Sequence, residues 1–226
     1  MIRKEKPDRV IHLGDHGTFD SVSGHALKGS EADKVAPRIK EDLQVCREAL
    51  EIMDASGGSY APEKHILEGN HEYRLERWMS ENPAAKGVIR FADIPEDLGW
   101  KVYPYRHVLV LNRHKAIKAC HAVMNGVNKP LEGKSATQTI AQQAEGVTFH
   151  GHIHKFVVAT HATVGGGKPR MAISVPCFME NGHIEGYAKG SACDWEYGVL
   201  RCFTHSKRSR PDIEFVSTVR LKEKYG

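Results

Sequence analysis

The sequence has no apolar run approaching the roughly 18 residues a membrane-crossing helix needs. Its opening residues, Met1 to Pro7, carry none of the apolar region of a secretory leader. A cytoplasmic location with no membrane partner is expected. Cysteine is sparse: Cys46, Cys120, Cys177, Cys193 and Cys202 make an odd set with no Cys-x-x-Cys pair. That speaks against a disulfide framework or a thiolate zinc site, and buried free thiols are the plain expectation. With only 10 Pro, 40% hydrophobic and 27% charged residues, disordered, collagen-like and low-complexity classes are excluded. Charge of one sign is nearly balanced at net +4 over 226 residues, enough to favour a phosphate-bearing partner and far short of a histone-like surplus. This length suits one generous domain over residues 1–226, and neither a repeat nor a linker divides it.

Histidine is what the sequence has in quantity, with 14 copies, several beside Asp, Asn or Gly where strands should end. Residues 9–13 read as a short strand stopped by Gly14-Asp15. From Val35 the apolar positions Ile39, Leu43, Cys46, Leu50 and Met53 follow at helical spacing until Ser56-Gly57-Gly58. A strand at 65–67 leads to Gly69-Asn70, and 72–80 predicts a charged helix closed by Asn82-Pro83. This is α/β rhythm. After Trp100 the pattern turns to sheet. A hairpin over 108–111 and 116–120 delivers His121, and Ser135 is the expected N-cap of a helix that Gly146 ends. A strand at 147–149 runs into His150-Gly151-His152-Ile153-His154, and further strands are expected at 156–160, 171–175, 198–203 and 213–220.

Metal-capable side chains thus stand at four strand ends: Asp15, Asn70-His71, His121, and His152 with His154. In open α/β structures such ends converge on one crevice. The ligand types are carboxylate, amide oxygen and imidazole, which suit manganese, iron or zinc acting as Lewis acids, and hydrolysis is their natural use. Each piece alone has a plainer reading. Asp15 fits a turn, Asn70 an N-cap, and three histidines at period two fit one face of a strand.

The order Gly14-Asp15, Gly69-Asn70-His71-Glu72, His121, Gly151-His152-Ile153-His154 resembles the calcineurin-like metallophosphoesterase superfamily, in its phage and bacterial type, over residues 7–205. The resemblance implies an αββα sandwich of two mixed sheets flanked by helices. It implies a metal-dependent phosphoester hydrolase, most readily a phosphodiesterase or nuclease, in which a metal-activated hydroxide attacks phosphorus. Phosphomonoesterase or protein phosphatase activity is the alternative within that class. A catalytically impaired metal-binding or interaction domain on the same fold is the alternative outside it. Two divalent ions follow from the resemblance, manganese first with iron or zinc as substitutes, or a single bound ion. Asp15 would bridge them, Asn70, His121 and His152 would complete one, and His154 would serve the other. His71 would assist the leaving group, and Glu72 would orient His71.

One departure stands out: the superfamily's Asp-x-His element, and with it the first strand, has no counterpart in the 13 residues before Gly14. Three explanations stay open: a start at an internal methionine; a short protein using one ion or recruiting His16 or Asp20; or a strand supplied by another chain, or else a domain that binds without catalysing. An exposed strand edge at residues 9–13 would then invite self-association or a partner segment. For the substrate, DNA and RNA included, Arg74 and Arg77 lie three and six residues after His71 and could meet phosphates flanking the scissile one. Arg201, Lys207, Arg208 and Arg210 form a second basic cluster, although solvated arginines paired to Glu76, Glu81 and Asp212 explain these equally. Trp78, Tyr103 and Tyr105 could stack on bases or simply pack in the core. The segment from Gly182 to Phe203, with Tyr187, Trp195 and Tyr197, resembles the superfamily's closing strands.

Overall fold

Strand and helix alternate from the start, as the sequence pattern requires. The computed structural model describes residues 1–23, 38–113, 116–162, 170–183, 194–205 and 210–226, and the chain divides into two units, Met1–His107 and Val108–Gly226. Val35, Tyr187, Cys193, Lys207 and Arg208, all singled out above, lie outside the described residues.

In the first unit a single helical turn, α1 (Ile2–Glu5), precedes β1 (Arg9–His12), α2 (Ile39–Ala55), β2 (Glu63–Leu67), α3 (Glu72–Glu81), α4 (Asp93–Asp97) and β3 (Lys101–Tyr103). The three strands form a parallel sheet in the order β1-β2-β3. The Arg38 backbone N–H donates to Glu41 Oε2 at 3.0 Å and starts α2, whose buried Cys46 and Leu50 then meet Phe19, Ile66, Leu75, Phe91 and Trp100 in one core. Full burial of a side chain such as Leu50 or Ile66 stabilises by roughly 1.5–3 kcal/mol, which is what anchors α2 and α3 to the sheet. Register pairs Arg9 with Glu63 and His12 with Ile66. Gly14-Asp15 and Gly69-Asn70 therefore leave the same edge of the sheet side by side.

The second unit holds β4 (Leu109–Asn112), β5 (Ile117–Cys120), α5 (Ala136–Gln143), β6 (Val147–His150), β7 (Val157–His161) and β8 (Arg170–Ser174). Its five strands run β4-β5-β6-β8-β7, with β5, β6 and β8 parallel and the outer two antiparallel. Ile140 and Ala141 of α5 pack on Ala159 and Ala172 of this sheet. A separate antiparallel pair, β9 (Gly198–Phe203) and β10 (Asp212–Ser217), leads into α6 (Thr218–Tyr225). The α/β class, with a three-stranded and a five-stranded sheet and helices beside them, is thus observed. No helix among the described residues is long and apolar enough to cross a membrane.

Several expectations are corrected. The strand expected over 213–220 stops at Ser217, whose hydroxyl accepts the Arg220 N–H at 3.2 Å and turns the chain into helix. Ser135 does stand at the N-cap of α5, but its side chain makes no capping bond. Of the cysteines expected to be buried, Cys46, Cys120 and Cys177 are, whereas Cys202 is exposed.

Candidate metal centre

Because β1 and β2 run parallel, their carboxyl ends put Asp15 against Gly69. A methyl group on Gly69 would run into both the Asp15 carboxylate and its backbone nitrogen, so this approach requires the absence of a side chain. Asp15 adopts φ 53°, a left-handed conformation that non-glycine residues rarely hold. Its Oδ1 accepts the His71 backbone N–H at 3.0 Å. Glu72, only 2% exposed, fixes the rest. Its Oε2 accepts N–H groups of Asp15 at 3.0 Å and Gly69 at 2.7 Å, and its Oε1 those of His16 at 2.6 Å and Gly17 at 3.1 Å. A carboxylate receiving four backbone donors is a strong, charge-assisted clamp, and this one ties the loop after β1 to the loop after β2. Asn70 sits half-buried in the same turn, directly before His71 and α3.

His71 is buried, and Arg74 Nη2 reaches its Nε2 at 3.2 Å. A guanidinium can only donate, so Nε2 carries the lone pair and the neutral ring keeps its proton on Nδ1. Arg74 also donates to the Thr18 carbonyl at 2.8 Å and pairs with Asp20 at 3.2 Å. It is turned inward, while Arg77, one turn on, is exposed. His16 is engaged at both nitrogens. The Gly14 N–H donates to His12 Nδ1, His12 Nε2 meets His16 Nδ1 at 3.2 Å, and His16 Nε2 meets the Cys46 carbonyl at 2.9 Å. A carbonyl only accepts and an amide N–H only donates, so this chain fixes both tautomers and commits every ring nitrogen. His16 thus has both ring nitrogens engaged within the first unit, and Asp20 is paired with Arg74.

In the second unit β5 and β6 also run parallel, and their carboxyl ends deliver His121 and the 150–154 segment. His121 is buried, and its ring centroid lies 5.3 Å from that of His152. His150 ends β6 with both nitrogens satisfied, at 3.3 Å from Thr137 Oγ1 and 3.1 Å from the Gly151 carbonyl. His152 and His154 follow in left-handed conformations, φ 69° and 57°, and so do not share a strand face with His150 as the period-two reading had it. Burial, then the charges of His152 and His121, pushes the His154 imidazole down to about 4. It is therefore neutral near pH 7, the form that binds metal. Its ring packs on Trp195, centroid to centroid at 4.2 Å, and its carbonyl accepts the Glu196 N–H at 2.9 Å. Lys155 pairs with Asp194, and the Phe156 N–H donates to Glu196 at 2.5 Å. Residues 194–196 thus brace the strained segment from outside it.

Asp15 in the first unit, and His121 and His152 in the second, offer carboxylate and imidazole atoms of the kinds that coordinate a metal ion. The chain matches no known protein family and no curated protein. Sequence reasoning found these three residues and the neighbours of Asp15, and it missed Glu132, whose Oε1 lies 3.2 Å from His152 Nε2. A carboxylate on the far nitrogen of a ligating histidine fixes its tautomer, and here it leaves the lone pair on Nδ1. Nothing in the spacing of an exposed loop glutamate could have announced this. The 194–196 brace was visible only as an aromatic, Trp195, near the end of the chain.

In the first unit Glu72 also borders a cavity, together with two further carboxylates. Glu68, Glu72 and Glu76, with Leu75, Phe91 and Arg90, line this cavity of about 170 Å³. Burial, helped by the charges of Glu76 and Glu72, raises the Glu68 carboxyl to about 7.

Proposed function

We propose that the chain is a metal-dependent phosphoester hydrolase of calcineurin-like type that acts on phosphodiesters. Asp15, Asn70, His121 and His152 would hold one divalent ion, manganese or in its place iron or zinc, and Asp15 with His154 a second. The observation that carries this reading is the left-handed backbone at Asp15, His152 and His154. Such a conformation costs on the order of 1–3 kcal/mol and clusters at functional sites, and here three of the eight non-glycine residues that show it among the described residues are expected ligands.

A divalent ion bound there would supply Lewis acidity toward a phosphoryl oxygen and a nucleophilic water. The residues of the chain do the remainder. Glu72 holds the Asp15 loop through four backbone N–H groups, so the carboxylate needs little reorganisation when it binds. His71, held by Arg74 at Nε2, keeps a proton on Nδ1 for transfer to a leaving-group oxygen. Arg77 is free to approach a flanking phosphate.

Loading with manganese, followed by elemental analysis and assay of bis(p-nitrophenyl) phosphate against p-nitrophenyl phosphate, tests the reading. At least one ion per chain, faster turnover of the diester, and loss of both metal and turnover in His121→Ala are expected. A well-folded chain that stays metal-free after loading, or that holds metal and hydrolyses neither ester, would overturn it.

A further inference from the structure

The first unit carries a cluster of aromatic and cationic side chains that the reaction itself does not use. The Arg106 guanidinium stands over two rings, 5.5 Å from the centroid of Tyr73 and 5.3 Å from that of Tyr105, and those rings lie 5.1 Å apart. Arg106 is exposed and takes φ 74°, left-handed like the candidate ligands. Among the described residues it makes no ion pair or hydrogen bond. Arg77 lies one helical turn beyond Tyr73 on the same face of α3. It is exposed too and has no acidic partner among the described residues. Glu76 and the buried Glu68 behind Tyr105 line the 170 Å³ cavity, and Glu81, four residues after Arg77, makes no ion pair with it among the described residues.

A guanidinium fixed over rings and left without a carboxylate is suited to phosphate, since it is planar, permanently charged and weakly hydrated. Half-buried tyrosines beside two such groups add faces on which a base can stack. An extended strand offers the two chemistries in alternation, whereas a duplex hides its base faces and a phosphopeptide has none. We propose that Tyr73, Tyr105, Arg77 and Arg106 form a docking surface for single-stranded nucleic acid. The inference rests on the phosphoester reading of Asn70 and His71, because those residues open the helix that carries Tyr73 and Arg77. It names the substrate of that site as a polynucleotide, with phosphates beyond the scissile one held by Arg77 and Arg106.

Binding can be read without catalysis. A fluorescein-labelled 12-mer of thymidine, and the matching uridine 12-mer to sort RNA from DNA, are titrated with the full chain in EDTA, and anisotropy is followed from low to moderate salt. The double variant Arg77→Ala/Arg106→Ala should bind about tenfold or more weakly, and the logarithmic salt slope should fall by about 1.4, the value for two single-strand phosphate contacts. Tyr105→Leu should weaken binding by about 5- to 150-fold, the loss of one stacked base. Arg106→Lys, which keeps the charge without the plane, should fall between, and melting temperatures report that each variant is folded. Wild-type affinity in a folded double variant would overturn the proposal, as would equal affinity for inorganic polyphosphate of the same charge. A chain that binds the 12-mer as described but, with manganese, cleaves neither it nor bis(p-nitrophenyl) phosphate would refute the phosphoester reading and leave the docking surface standing.

Discussion

Replacing Glu72 by glutamine removes one charge and one acceptor from the clamp while leaving its shape intact. Two of the four backbone donors, either those of Asp15 and Gly69 or those of His16 and Gly17, would then face an NH₂ group that can only donate. Hydrogen bonds to a charged group contribute about 1.5–3 kcal/mol each, so losing two predicts a loss of about 3–6 kcal/mol. Folded domains are stable by only about 5–15 kcal/mol. For a chain of this size that corresponds to a fall in melting temperature on the order of 10 °C. Thermal unfolding followed by circular dichroism, with a urea titration beside it, measures the loss. Manganese affinity should fall in the same variant, because the Asp15 loop is what comes undone. The role expected from sequence, orienting His71, makes a different prediction: turnover drops while stability and metal affinity stay put. A Glu72→Gln protein that melts within a degree of the parent and binds manganese equally well would refute the clamp.

Gly69→Ala should destabilise the protein by about 1–3 kcal/mol, as overpacking does, and lower metal content, because the new methyl displaces Asp15; unfolding and elemental analysis check both. Arg74→Ala should lower diester turnover about 10- to 100-fold, the usual effect of removing a group that positions a reacting one, without changing bound metal. Arg74→Lys should restore little, because the guanidinium reaches Thr18 and Asp20 from Nη1 and His71 from Nη2, and an ammonium has no such fork. Burial raises the Asp42 carboxyl above its ordinary 3.8, against the bonds from Ser21. The folded state therefore keeps this proton to higher pH than the unfolded chain does, and the group's stabilising contribution, full below 3.8, is lost as pH rises through the folded value. Asp42→Asn should accordingly gain stability relative to the parent as pH is raised from acid to neutral, and urea unfolding at several pH values would show a constant difference if Asp42 were indifferent to burial.

Much of this was legible because the signals were local. The stripe through Leu43, Cys46 and Leu50 had to be a buried helix face, and Gly14, Gly69 and Gly151 mark the points where strands stop. The element β3 was missed because three residues, Lys101 to Tyr103, carry no period, and its place in the sheet comes from pairing with His65 to Leu67. At Ser217 a β-rich run becomes a helix through one hydroxyl, a choice that composition does not reveal. For the site, the ligand types could be read from order and spacing. The functions of Glu72 and Arg74 could not, since both depend on which backbone groups of residues 15–18 come within reach some 55 positions away in the chain.

The left-handed residues also bear on how this protein would respond to selection. Glycine, and to a lesser degree asparagine, relieves such a conformation, so a library screened only for thermal resistance should accumulate them at positions 15, 152 and 154. If the proposed hydrolysis is right, those survivors would be sturdier and inert, the usual trade between robustness and activity. An engineer seeking a hardened version should hold these three positions fixed and search elsewhere.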